Sequence, residues 1–86
     1  QNKKLLRIIF FQKYFSMGMG MLEIDEEFRK AIIEEDLLLL DQVMGVLRFK
    51  YHQNIVDMTN RAKKVAGVSF VHFINLVDQV QHVLCE

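Results

Sequence analysis

An apolar stripe through the middle of this chain limits its fold more than any other feature. Ile33, Leu37, Leu40, Met44, Leu47, Tyr51, Ile55, Met58, Ala62 and Val65 follow one another at steps of 4, 3, 4, 3, 4, 4, 3, 4 and 3. At about 100° per residue, all ten share an arc of about 80° on a helix. A seam of this kind packs helix on helix. It predicts an all-α chain built around a long helix over residues 25–66, with shorter helices on either side. The 86 residues contain no proline, and Gly18, Gly20 and Gly67 lie outside the stripe. Both facts suit long helices better than turn-rich β structure.

Length sharpens this expectation. At 1.5 Å per residue, an unbroken helix over 25–66 is about 60 Å long. A globule of this many residues is roughly 30 Å across. Either the helix kinks, near 34–36 or at Gly45, or the bundle is completed by oligomerisation. The stripe passes Gly45 without losing phase, and one helical glycine costs only about 1 kcal/mol. The expectation is therefore a homo-oligomer, with a dimer favoured. Its partner-binding face would be Ile33, Leu37, Leu40, Met44, Leu47 and Tyr51. The step from Tyr51 to Ile55 follows another four-residue step, which in a coiled coil is a stutter.

The flanks complete one helical domain over 1–86. Residues 1–15 form an N-terminal helix that is apolar on nearly every side, so it must be covered on several faces. A Gly/Met loop follows at 16–24. Asp25 is the expected N-cap of the long helix, with Glu26 and Glu27 in its first turn. Lys63, Lys64 and Gly67 mark its end. Ser69 caps a last helix over 69–85, whose seam is Phe70, Phe73, Val77, Val80 and Leu84. A second strip, Phe28, Ile32, Leu39, Val43 and Val46, runs beside the stripe in the first half only. Residues 28–47 should therefore meet two neighbours and residues 48–66 one, the apolar N-terminal segment being a candidate for the extra neighbour.

Net charge is zero, but the charges are sorted along the chain. Lys3, Lys4, Arg7 and Lys13 stand without an acid in the first 20 residues. Residues 21–45 hold an acidic excess and residues 46–66 a basic one. A neutral chain is not a general nucleic-acid binder. The basic stretch Arg48, Lys50, Arg61, Lys63 and Lys64 still offers nucleic-acid contacts, and a small dimeric DNA-binding regulator is the alternative reading. The stretch does not form one helical stripe, which weakens that reading.

No catalytic constellation stands out. The acid runs Asp25–Glu27 and Glu34–Asp36 place adjacent carboxylates in different directions on a helix, whereas acid–base chemistry needs them convergent. There is no Gly-rich phosphate loop or nucleophile motif. His82 and Cys85 alone make an incomplete metal site. No cofactor or small-molecule substrate is expected. A lone cysteine suggests an intracellular, cytoplasmic protein. The run Leu5 to Phe11 is interrupted by Arg7 and is too short to span a bilayer. The expected function is a non-enzymatic oligomerisation or protein–protein interaction module.

Overall fold

A computed structural model describes residues 3–84, and among these every regular element is helical. The helices are α1 (Lys3–Ser16), α2 (Met21–Ile33), α3 (Leu37–Phe49), α4 (Ile55–Ala66) and α5 (Phe70–Leu84). The all-α expectation holds. The long helix over 25–66 does not form, because the chain breaks at residues 34–36 and again at 50–54.

The first break is one of the two kink points suggested by the sequence. Glu35 takes a left-handed conformation (φ 51°). Its N–H donates to the Ile32 carbonyl at 3.2 Å, and the Asp36 N–H donates to that of Ala31 at 2.9 Å. This pair is a Schellman closure, which satisfies carbonyls left over at the helix end. Asp36 then caps α3, its carboxylate accepting from the Leu39 N–H at 3.1 Å. The second break has its own left-handed residue, His52 (φ 55°). Asn54 caps α4 in a reciprocal box. Its side chain accepts from the Asp57 N–H at 2.8 Å, while the Asp57 carboxylate accepts from the Asn54 N–H at 3.2 Å. The first break falls inside the four-residue step Ile33 to Leu37; the second takes in Tyr51 itself and ends where Ile55 restarts the stripe.

Other ends shift by a few residues. Helix α2 starts at Met21, not at Asp25. Glu23 reaches back to accept from the Gly20 N–H at 2.8 Å, and Asp25 instead pairs with Arg61 at 2.6 Å. Ser69 does cap α5, accepting from the His72 N–H at 3.1 Å.

The stripe folds back on itself. Helix α2 packs on α3 and α4, α5 covers α3 and α4, and α1 lies on α3. Ile24, Phe28 and Ile32 of α2 meet Leu40, Val43, Val46 and Leu47 of α3, Met58 and Ala62 of α4, and Phe73, Leu76 and Val80 of α5 in one buried cluster. Phe28 and Phe73 pack edge to face, with ring centres 5.8 Å apart. The radius of gyration is 12.0 Å and the greatest extent 33 Å. An 86-residue globule should have a radius of gyration of about 12 Å. The length argument for an oligomer therefore has no premise left, since the three short helices fit within one globule.

Gly45 does not break α3; it is buried in mid-helix beneath Arg7. A Cβ placed there would meet the Arg7 Cδ at 3.8 Å, an ordinary contact. Gly45→Ala is thus expected to stabilise the fold by about 0.5–1 kcal/mol, through helix propensity and a less flexible unfolded chain. A urea midpoint at or below that of the wild type would contradict this.

Candidate interaction surface

Helix α1 has more apolar surface than its one neighbour can cover. Its inner face turns Arg7 and Tyr14 towards α3. Arg7 is bidentate to Asp41, with Nε to Oδ2 at 2.9 Å and Nη2 to Oδ1 at 2.8 Å. Asp41 is buried, and its hydrogen bonds raise the Arg7 pKa above its already high ordinary value. Tyr14 is buried and shares a hydrogen bond with the Tyr51 hydroxyl.

The outer face remains open. Leu5, Ile8, Ile9 and Phe15 are all exposed to solvent. Phe49, at the end of α3, is 63% exposed beside them. Lys4, Arg7, Ile8, Phe11 and Phe49 line a groove of about 240 Å³. Lys4, Ile8, Phe11 and Phe15 succeed one another at steps of 4, 3 and 4, one helical row. Phe11 stacks on Phe15 at 5.7 Å, extending the apolar strip past the groove. No acidic side chain lines it, whereas Lys4 and Arg7 do.

The residues expected to bind a partner are placed otherwise. Leu40, Met44 and Leu47 are buried in the chain's own core. Leu37 and Tyr51 are half-buried against that core, and only Ile33 of the set is exposed. The reason is the fold-back, which turns each segment of the stripe towards the next. Sequence reasoning missed Phe49, which lies off the stripe. Its available signal was the exposed-side character of α1, a helix too apolar to be left with one neighbour.

The basic residues do not converge. The Lys50 ammonium sits over aromatic rings of Tyr14, Phe15 and Tyr51. Arg61 donates to Asp25 at 2.6 Å and to Gln53 at 3.2 Å. Arg48, Lys63 and Lys64 are exposed. Arg61 and Lys64 share a polar cleft of about 260 Å³ with Gln53, Asp57 and Asn60. His82 is exposed and 3.6 Å from Asp78, and Cys85 lies outside the described residues.

No family model, curated protein or solved structure matches this chain. Function must therefore be argued from the surface itself. No described helix is long and apolar enough to cross a membrane.

The buried phenol gives a pH signature. Burial, then the Tyr51 hydrogen bond, pushes the Tyr14 pKa above its ordinary value of 10.0. Below that value both folded and unfolded chains hold the proton, and stability is indifferent to this group. Above it the unfolded chain releases the proton while the folded chain keeps it, so stability falls as pH rises. The slope for one proton reaches about 1.4 kcal/mol per pH unit. Urea midpoints of the wild type should fall more steeply between pH 9 and 11 than those of Tyr14→Phe. Equal slopes would contradict the assignment.

Proposed function

We propose that this chain is a non-enzymatic interaction module whose docking surface is the outer face of α1 together with Phe49. The observation that carries this reading is the row of exposed Ile8, half-buried Phe11 and exposed Phe15 beside an exposed Phe49. Contiguous exposed aromatic and aliphatic side chains rimmed by polar ones are a mark of protein contact sites. A groove between one helix and the end of another suits a third helix, whose anchors would recur at three- and four-residue steps. The proposed partner is an amphipathic helix with an acidic polar face. Helix α1 brings Lys4 and Lys13 and no acid, beside an Arg7 already paired with Asp41, which favours negative charge opposite it. A second copy of the chain is the other candidate. Two α1 helices set face to face would oppose like charges, so self-association through this face is the less favoured mode. A nucleic-acid role would rest on Arg48, Lys63 and Lys64, because Lys50 and Arg61 are engaged within the fold.

The test is a titration with a helical peptide of about five turns, apolar on one face and acidic on the other. The expected result is binding that Phe49→Ala weakens at least about tenfold, since buried aromatic anchors commonly carry 2 kcal/mol or more. A peptide with the same apolar face and a basic polar face should bind more weakly at low salt. Equal affinity of wild type and Phe49→Ala for the acidic peptide would overturn the proposal.

A further inference from the structure

Lys50 is held in a way that its position at the end of α3 does not require. Its Nζ lies 4.7 Å from the centre of the Tyr14 ring, 4.8 Å from that of Phe15 and 5.1 Å from that of Tyr51. Two of those rings belong to α1, and the third follows α3 in the chain. The Lys50 backbone is fixed, its N–H donating to the Val46 carbonyl at 2.9 Å. Only the side chain is free to leave. The Tyr14 and Tyr51 hydroxyls bond each other, which holds two of the rings in place around the ammonium. Lys50 is half-buried and Phe15 beside it exposed, so the residue keeps contact with solvent.

The surroundings make α1 a separable element. It packs on α3 and on no other helix to a comparable extent. It leaves through a turn containing Gly18, whose φ of 64° is one that glycine adopts at little steric cost. To the buried core cluster α1 contributes Tyr14 alone, and the other four helices supply the rest, including Phe28, Leu40, Leu47, Met58 and Phe73. The Arg7–Asp41 pair joins α1 to α3, and the Tyr14–Tyr51 bond joins it to the turn just after α3. The cation over three rings spans both helices beside the second of these. Attraction between a cation and aromatic faces depends on the charge, and it strengthens where water is partly excluded.

We infer that Lys50 is a charge-dependent latch for α1, and that acylation of its ε-amine unseats the C-terminal half of that helix. The free amine attacks the carbonyl carbon of an acyl thioester. A C–N bond forms, the C–S bond breaks, the thiolate departs and the amine proton passes to solvent. The product is a neutral amide that keeps the aliphatic stem and loses the attraction to all three rings. Phe15 belongs both to the latch and to the row proposed to dock a partner, so the latch is read on the free chain, with no partner present.

The experiment uses the full chain in four forms: wild type, Lys50→Arg, Lys50→Met and a chain carrying Nε-acetyl-lysine at position 50. Amide hydrogen exchange is read in α1 residues 10–16 and in the buried spans 24–32 and 73–80. With Lys50→Met and with acetyl-lysine, exchange in 10–16 should rise about tenfold while the two core spans change less than about twofold. Lys50→Arg keeps a cation that stacks on aromatic rings, and should stay within about threefold of wild type. Three results would overturn the inference. The neutral forms could protect α1 as well as wild type does, so that stem packing alone suffices. Lys50→Arg could lose as much protection as Lys50→Met, so that shape and not charge matters. Exchange could rise equally in every helix, so that no separate latch exists.

Discussion

Leu47→Asp is expected to unfold the chain, not to divide an assembly. Leu47 is fully buried in α3, the helix on which α1, α2 and α5 all pack. A carboxylate there must either stay charged without a partner or take up a proton and remain unpaired. Either outcome, with the lost apolar burial, costs more than about 4 kcal/mol. The total stability of an 86-residue domain is about 4–13 kcal/mol. Circular dichroism at 25 °C should therefore show loss of most helix signal. A variant that keeps wild-type helicity and melting while its mass halves would instead place Leu47 at a subunit interface.

Phe28→Ala is expected to cost about 3–5 kcal/mol, as phenylalanine truncations in full cores do. Phe28 is completely buried and meets Phe73 edge to face, joining α2 to α5. The aromatic pairing adds to the simple loss of apolar area. For a domain of this size the thermal midpoint should fall by more than roughly 12 °C. A shift of only a few degrees would mean that α5 packs on α2 less firmly than the geometry implies.

The apolar pattern of the sequence made the helical class legible. The positions that pack the interior were legible too, with Leu40, Met44, Leu47, Met58 and Ala62 all on the stripe and all buried. The chain's reversals were harder to read. Helix ends are usually announced by glycine or asparagine, which enter the left-handed region cheaply. Here Glu35 and His52 take that conformation, and neither residue type announces it. The caps that follow were written in the sequence, Asp36 before an apolar run and Asn54 three residues ahead of Asp57. A periodicity that continues in phase across two turns hid the second, while the first, at 34–36, is one of the two kink points the sequence offers. Phase survives because Leu37 and Ile55 restart the helix four positions after the preceding stripe residue. Leu40, Met44, Leu47, Met58 and Ala62 then face inward, while Ile33 and Ile55 beside the turns stay exposed.

The docking surface was legible only indirectly. The all-round apolar character of residues 3–15 shows that the segment needs several neighbours. It does not show that four helices would close a core and leave α1 resting on one of them. Phe49 stands off the stripe between Arg48 and Lys50, and its exposure follows from where α3 ends. The aromatic setting of Lys50 joins residues 14, 15, 50 and 51. That pairing depends on α1 lying along α3, which no local pattern specifies.

The central claim is that the stripe folds back within the chain's own helices. The most direct test is a distance between spin labels at positions 33 and 64, both exposed in the fold, in a chain whose Cys85 is replaced. The fold predicts a distribution centred within its greatest extent of 33 Å. An unbroken helix would put 31 residue rises between the labels and a single peak at about 46 Å. That longer peak would contradict the account.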